Sequence, residues 1–161
     1  MKKILITGSK GQLGQSLRRE LSGDSEIEAI FTSSEELDIT DREAIDRFFS
    51  DHKPDIVINC AAYTAVDKAE SDDLEAARVN TEAVGIIADS ARRHEIKVVH
   101  ISTDYVFSGE SFRPIAENDE PYPHSIYGRT KLEGEALLTS FCPDSIIIRT
   151  AWLYSEFGHT L

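Results

Sequence analysis

Short apolar runs alternate along the chain with segments whose apolar residues recur at the spacing of a helix. Five of the runs are bounded by turn residues and are predicted to be strands: Ile4–Ile6, Ile27–Phe31, Asp55–Cys60, Lys97–Ser102 and Ser145–Arg149. Their nearly continuous hydrophobicity is typical of strands that are covered on both faces. Strands that alternate with helices predict an α/β fold with a Rossmann-type, doubly wound parallel sheet.

Four segments between the strands are predicted to be helices. In the first, Leu13, Leu17 and Leu21 lie four residues apart and form one apolar face. Thr40 and Glu43 have the spacing of a capping box, which places the start of the second helix at Thr40. The third is predicted over 72–94, with an apolar side formed by Leu74, Ala77, Val84, Ile87 and Ala88, and the fourth over 125–140. The segments 61–71 and 103–124 are predicted to be loops, and Asp67 and Glu70 are expected to cap or precede the third helix.

Three glycines, Gly8, Gly11 and Gly14, lie between the first strand and the first helix. Their Gly-x-x-Gly-x-x-Gly spacing is one residue longer than the common dinucleotide fingerprint. Glycine lets the backbone approach a pyrophosphate closely, and the free N–H groups at the helix start favour its charge. The alternative is a plain strand-to-helix turn, but the position after a strand favours dinucleotide binding.

The end of the second strand bears on the choice between NADH and NADPH. An acidic residue there would favour NAD by bonding the ribose 2′-hydroxyl. The segment Ile30–Ser34 carries neither an acid nor an arginine. The hydroxyl groups of this segment and Lys10 could accommodate a 2′-phosphate. This favours NADPH slightly, and NADH stays possible as the cofactor.

Tyr127 and Lys131 stand four residues apart at the predicted start of the fourth helix and share one helix face. An ammonium beside a phenol stabilises the phenolate, so Lys131 is expected to lower the pKa of Tyr127 and prepare a proton donor. The alternative is a half-exposed tyrosine beside a solvated lysine. Ligands of doubly wound sheets sit beyond the carboxyl ends of the strands, where Thr103 also lies. Thr103, Tyr127 and Lys131 are therefore predicted to form a carbonyl-reducing set beside a nicotinamide.

The overall charge argues against several kinds of partner. The formal net charge of the 161 residues is -12, which opposes nonspecific binding to nucleic acid or to an anionic membrane. No apolar stretch approaches a membrane span or a signal peptide, so a cytoplasmic location is expected. Neither Cys60 nor Cys142 suggests a disulfide. No metal site is predicted, because ligand spacing is absent among the five histidines, His52, His94, His100, His124 and His159.

Longer segments carry a resemblance to a known family. The specific ones are Ala-Val-Asp-Lys-Ala-Glu at 65–70 and Ser-Thr-Asp-Tyr-Val-Phe at 102–107. Leu-Asp-Ile-Thr at 37–40 and Arg-Thr-Ala-Trp-Leu-Tyr at 149–154 extend the likeness over essentially the whole chain. The sequence thus resembles the extended short-chain dehydrogenase/reductases and, within them, the dTDP-4-dehydrorhamnose reductase family.

The resemblance implies reduction of the C4 ketone of dTDP-4-dehydro-L-rhamnose to dTDP-L-rhamnose. It implies that Tyr127 protonates the carbonyl oxygen, that Lys131 bonds the nicotinamide ribose, and that Thr103 hydrogen-bonds the ketone. It places Asp104 and Trp152 at the substrate. The implied cofactor contacts are Gly11, Gln12 and Leu13 at the phosphates, Asp38 and Ile39 at the adenine, and Ala62, Tyr63 and Thr64 along the cofactor. For Asp38, a role as an acid near the start of the second helix fits the sequence equally well.

Two other functions stay open. A related sugar-nucleotide epimerase or dehydratase is one, although dehydratases carry an Asp-Glu pair where this chain has Asp104 and Tyr105. A non-catalytic regulatory subunit of the methionine adenosyltransferase type is the other. Residues 1–161 are expected to be a dinucleotide-binding domain. This domain is expected to be the N-terminal part of a longer reductase, without the C-terminal substrate-binding part. A homodimer is compatible with the resemblance.

Overall fold

Five parallel strands form one sheet in the computed structural model, which describes residues 1–158. The strands are β1 (Lys2–Thr7), β2 (Ile27–Thr32), β3 (Ile56–Asn59), β4 (Lys97–Thr103) and β5 (Ile146–Thr150), in the order β2-β1-β3-β4-β5. The carboxyl ends are level, because Thr7 lies opposite Thr32 and Asn59 in the register. The strand order reverses between β1 and β3, where doubly wound folds form their ligand crevice. The predicted parallel, doubly wound fold is confirmed.

The helices connect the strands and leave their first turns at this carboxyl edge. They are α1 (Gln12–Glu20), α2 (Arg42–His52), α3 (Val66–Ala69), α4 (Asp73–Ala77), a π-helical turn (Arg78–Glu82), α5 (Ala83–Arg93), a 3₁₀ turn (Asp104–Val106) and α6 (Ile126–Phe141). The helix α6 begins where predicted because Ser125 caps it and accepts a hydrogen bond from the Gly128 N–H at 3.0 Å.

The main core lies between one face of the sheet and the helices α2, α5 and α6. Leu5 and Val57 from the strands pack there with Phe49, Ile87 and Leu138 from the helices, and each is at most 1% exposed. Burying such a side chain fully contributes about 1.5–3 kcal/mol. This layer therefore fixes the strand ends that carry the site.

The other face of the sheet is covered unevenly. Helix α1 lies over β2 on this face, where the Arg18 guanidinium stacks 4.1 Å from the Phe31 ring centroid. Ile6 in β1 is fully buried on the same face, whereas Ile146 and Ile148 in β5 are 58% and 46% exposed. The expectation that both faces are covered is therefore wrong for β5, because α1 covers only the β1 and β2 side.

The predicted long helix over 72–94 is interrupted. The π-helical turn rotates α4 relative to α5, so Leu74 is 83% exposed while Ala76 is buried. The placement of Leu74 on the apolar side is therefore wrong. A short helix, α3, also occupies part of the segment predicted to be a loop.

One expected cap is wrong, and Glu70, which precedes α4 as expected, has a distant partner. Asp41, not Thr40, is the N-cap of α2, and its carboxylate accepts from the Ala44 N–H at 3.1 Å. Glu70 does not serve the helix that follows it in sequence. Its carboxylate accepts from the Ile126 N–H at 2.8 Å, at the start of α6. Both differences arise because backbone N–H groups at a helix start donate to whichever carboxylate the fold brings nearest.

Candidate active site

A cleft of about 800 Å³ opens beyond the carboxyl ends of the strands. It brings together residues that lie far apart in the sequence. Nearly all of the predicted site residues line it: Gly8, Gly11, Gln12, Leu13, Gly14, Asp38, Ile39, Ala62, Thr64, Thr103, Asp104, Tyr127, Lys131 and Trp152. Tyr63 is the exception. The two groups predicted separately, a phosphate loop and a reducing set, thus share one cleft.

The glycine loop is packed so closely that side chains cannot fit. Gly8 has a φ of +67°, and a Cβ there would lie 2.7 Å from the Ala61 nitrogen. A Cβ on Gly14 would lie 2.5 Å from the Gly8 carbonyl oxygen. Gly11 is the N-cap of α1 and makes no side-chain cap, so the first N–H groups of α1 have no capping partner. Such a helix start is suited to a phosphate.

Unpaired polar atoms mark both ends of the cleft. Among the described residues, three buried side-chain atoms have no hydrogen-bond partner: Gln12 Oε1, Thr32 Oγ1 and Ser102 Oγ. Gln12 and Ser102 line the cleft. A buried polar atom without a partner costs about 1–3 kcal/mol, so these atoms indicate where a ligand would form hydrogen bonds. With the glycine loop, they fit a dinucleotide.

Two acids that follow residues 30–34 directly, Glu35 and Glu36, lie at the end of β2. A turn after β2 returns the Glu36 carboxylate to Ser33, where it accepts from the backbone N–H at 2.7 Å and from the hydroxyl at 2.9 Å. Lys10 is paired with Glu35 at 2.6 Å. Residues 30–34 carry no acid, as stated from the sequence, but Glu36, two residues beyond them, reaches the same position through the turn.

Asp38 and Ile39 line the cleft next to this turn, as predicted for an adenine site. Ile39 is buried, while the Asp38 carboxylate accepts from the hydroxyl of Thr40 at 2.7 Å and from its N–H at 2.9 Å. These hydrogen bonds lower the pKa of Asp38. The alternative role is seen as well, because Asp38 holds Thr40 just before α2, although Asp41 is the N-cap.

Tyr127 is half-buried and lies edge-on to Tyr105, with ring centroids 5.5 Å apart. Burial raises its pKa above the usual value, a hydrogen bond with Thr103 opposes that rise, and the Asp104 carboxylate adds to it. The expectation that Lys131 lowers the pKa of Tyr127 does not hold in this structure. The reason is that the Lys131 amine is directed elsewhere.

Lys131 is 2% exposed, and its Nζ donates to the carbonyl oxygen of Ile101 at 2.7 Å. The same nitrogen lies 3.5 Å from His100 Nε2. Burial lowers the pKa of Lys131 to about 8, although Glu135 acts in the opposite direction. The solvated-lysine alternative is therefore wrong, and the amine is close to its titration range at neutral pH.

His100 is fully buried behind Lys131, and sequence reasoning assigned it no role in the site. Its Nδ1 lies 3.1 Å from Asn59 Nδ2, and Asn59 Oδ1 accepts from the Thr7 hydroxyl at 2.6 Å. Burial lowers the pKa of His100 to about 3, with the Lys131 charge acting in the same direction. His100 is therefore a neutral ring at physiological pH. Its position two residues after Val98 was the available signal, because side chains two apart in a strand share one face and Val98 lies in the core.

Asn80 explains why Tyr63 does not line the cleft. The buried Asn80 amide accepts from the Tyr63 N–H at 2.9 Å and donates to its carbonyl oxygen at 3.1 Å. The Tyr63 hydroxyl then donates to Asp72 at 3.1 Å, away from the cleft. Asn80 also donates to Thr130 Oγ1 at 3.3 Å, on α6. The π-helical turn thus joins the loop along the cleft to the helix that carries Tyr127. The position of Tyr63 along the cofactor stays a prediction, and its side chain is directed to Asp72.

The residues predicted to meet a substrate are at the open side of the cleft. Thr103 is buried, whereas Asp104 is exposed and Trp152 is 88% exposed with a φ of +50°. The Thr103 hydroxyl accepts from the Tyr105 N–H at 3.2 Å and donates to Asp104 at 3.3 Å. A left-handed conformation is uncommon for a bulky residue, which marks Trp152 as a special backbone position at the edge of the cleft.

Other side chains carry no separate chemistry. Cys60 and Cys142 are free thiols, and burial raises the pKa of Cys60 to about 12. Within residues 1–158, no three His, Cys, Asp or Glu side chains are grouped so as to hold a metal ion. His159 lies outside these residues. No helix in the described part of the chain is long and apolar enough to cross a membrane.

The fold and the site define a Rossmann-type domain of the short-chain dehydrogenase/reductase class. The family model described as the RmlD substrate binding domain matches residues 1–161, and the chain belongs to this family. It is 42% identical over 159 residues to a dTDP-4-dehydrorhamnose reductase of Aggregatibacter actinomycetemcomitans, covering 99% of this chain and 54% of that protein. The resemblance predicted from the sequence is confirmed.

Solved structures agree with this membership. The dTDP-4-dehydrorhamnose reductase of Clostridium acetobutylicum has a TM-score of 0.93 at 47% identity, over 96% of this chain and 55% of that one. The Bacillus anthracis reductase, solved in complex with NADP, has a TM-score of 0.95 at 36% identity, over 99% of this chain and 57% of that one. The chain therefore spans about half the length of the relatives it matches.

Proposed function

We propose that this chain forms the dinucleotide-binding part of an enzyme that reduces the C4 ketone of dTDP-4-dehydro-L-rhamnose to dTDP-L-rhamnose. NADPH is the proposed reductant, and NADH is a second one. The observation that carries the proposal is that Thr103, Tyr127 and Lys131 meet in a cleft whose other end is a phosphate-binding glycine loop. The relatives are reductases of this kind, and one was solved with NADP.

Tyr127 acts as the proton donor in this proposal. A bound nicotinamide supplies the hydride to the ketone carbon. The Tyr127 hydroxyl gives its proton to the ketone oxygen, so that the carbonyl becomes an alcohol. Burial raises the pKa of Tyr127 and therefore keeps the phenol protonated at neutral pH until the ketone oxygen takes the proton.

Thr103 and Lys131 have hydrogen-bond capacity left for this step. The Thr103 oxygen accepts from the Tyr105 N–H, so its own proton can turn from Asp104 towards a ketone oxygen. The Lys131 ammonium donates one proton to the carbonyl oxygen of Ile101 and has two more to donate. One of these suits a ribose hydroxyl of the cofactor.

The proposal also assigns residues 1–161 to one part of a longer enzyme. Residues 1–161 would be the N-terminal, dinucleotide-binding part of a longer reductase, because the relatives are about twice as long. Asp104 and Trp152 would contact the dTDP-sugar at the open side of the cleft. The reaction would take place in the cytoplasm.

The test is Tyr127→Phe in the full-length protein, assayed by NADPH oxidation with dTDP-4-dehydrorhamnose. General acid catalysis contributes about 10²–10⁴-fold, so kcat should fall by that factor. The dissociation constant for NADPH should stay within about threefold, because only the hydroxyl is removed. Tyr122→Phe is the matched control, since Tyr122 is 67% exposed and lies outside the cleft.

Two outcomes would overturn the proposal. One is a full-length protein that oxidises neither NADPH nor NADH with this substrate. The other is a Tyr127→Phe variant as active as the Tyr122→Phe control. In the second case the proton must come from another group in the cleft.

A further inference from the structure

A carboxylate outside the lining of the cleft occupies hydrogen-bond donors of a residue that lines its adenosine end. In dinucleotide-binding sheets the ribose 2′ position lies at the end of the second strand. In this chain that position is occupied by the buried Ser33, which offers its N–H and its hydroxyl. These are the two groups that a 2′-phosphate would use. Both donate to Glu36, at 2.7 and 2.9 Å.

The surrounding charges would serve a phosphate once Glu36 moved. The hydrogen bonds from Ser33 hold the pKa of Glu36 below its usual range. The nearby Lys10 and Arg18 cations lower the Glu36 pKa further. Lys10 lines the cleft and is neutralised at present by Glu35. The Glu36 carboxylate therefore takes the place that an anionic group of a ligand would otherwise fill.

The two cofactors would meet Glu36 differently. The 2′-hydroxyl of NADH can donate to a carboxylate, so Glu36 can stay on Ser33. The 2′-phosphate of NADPH is an anion and must displace Glu36 to reach the same donors, since like charges repel. We propose that Glu36 is a specificity-determining residue that narrows the preference for NADPH over NADH by occupying Ser33. The inference rests on the proposed dinucleotide binding and extends it to the choice of cofactor.

The experiment measures dissociation constants for NADH and NADPH with the full-length protein, by isothermal titration calorimetry without substrate. In Glu36→Gln the ratio Kd(NADH)/Kd(NADPH) should rise about tenfold, the change expected when one charged hydrogen-bonded competitor is lost. Glu36→Ala removes the acceptor as well, and its ratio should rise at least as far. Glu36 is exposed, so both variants should fold.

Glu20→Gln is the matched control for net charge, because Glu20 is exposed on α1 and pairs only with Arg19 among the described residues. An unchanged ratio in both Glu36 variants, or an equal rise in Glu20→Gln, would overturn the inference. Both results leave the proposed function standing. A wild-type protein that bound neither cofactor would instead overturn the proposed function.

Discussion

Two helices begin at the same edge of the sheet, and their first turns are built in opposite ways. Helix α1 starts at Gly11 with no side-chain cap. Helix α6 starts at Ser125, which caps it, and the Glu70 carboxylate takes a second N–H. An open helix start can bind a phosphate, whereas a closed one can only hold its own residues in place.

The same contrast extends to the groups around each helix. At the α1 end the backbone forms the site, and Gly8 and Gly14 exclude side chains. At the α6 end buried side chains form it, and Lys131 and His100 have pKa values lowered to about 8 and about 3. The α1 end should therefore be sensitive to added volume, and the α6 end to changes in protonation. Three predictions test this difference.

The largest effect is expected from Gly8→Ala. The substitution places a Cβ 2.7 Å from the Ala61 nitrogen and forces alanine into a φ of +67°. Strain and overpacking together should lower the free energy of unfolding by about 3 kcal/mol, measured by urea denaturation. Gly23→Ala is the control, because its φ is +86° but nothing lies within 4 Å of the added Cβ. It should lose about 1 kcal/mol from strain alone. Equal losses would show that close packing at Gly8 contributes nothing.

A smaller effect is expected from lowering the pH, which acts through His100 at the α6 end of the cleft. Unfolding raises the pKa of His100 from about 3 to its ordinary value of about 6.5. Below pH 6.5 the unfolded chain therefore binds a proton that the native chain cannot, and stability falls as the pH falls towards 3. Between pH 7 and pH 5 this group should remove about 2 kcal/mol from the free energy of unfolding.

In His100→Asn, the free energy of unfolding should no longer fall by this amount between pH 7 and pH 5. Urea denaturation at both pH values measures it. The exposed His124 provides the control, and His124→Asn should keep the full loss. If His100→Asn lost as much stability between pH 7 and pH 5 as the wild type, protonation of His100 would not be the cause.

The smallest effect is expected from Ser125→Ala. Loss of the hydrogen bond from the Gly128 N–H should lower the free energy of unfolding by about 1 kcal/mol. Ser125→Asp should restore it, because aspartate is an equally good N-cap. If Ser125→Ala left the free energy of unfolding unchanged, Glu70 alone would close the start of α6. The comparison between the two helix starts would then depend on one carboxylate.

Local patterns were sufficient for the elements and for most of the site. The positions of all five strands follow from short apolar runs, and the start of α6 follows from Ser125 and the loop before it. The glycine spacing and the four-residue separation of Tyr127 and Lys131 also act over a single turn. Such signals are local, because φ/ψ preference and helix periodicity involve neighbouring residues.

What sequence analysis missed in the site has two causes. Asn80 holds Tyr63 across seventeen positions, and Lys131 is thirty residues from the carbonyl oxygen of Ile101 that accepts its proton. Neither of these hydrogen bonds is encoded by spacing alone, since each needs two segments to be packed first. The Glu36 hydrogen bonds differ, because Ser33 and Glu36 are three residues apart in one turn and have the local Ser-x-x-Glu spacing of a capping box.

The sequence by itself therefore determined the parallel sheet, the glycine loop and the residue types of the reducing set. Only the tertiary structure decided that α1 starts open and α6 closed, and that Lys131 is buried against His100. The physical reason is that hydrogen-bond partners and burial depend on which distant segments the core brings together. Residue identity sets only what those segments can donate, accept or exclude.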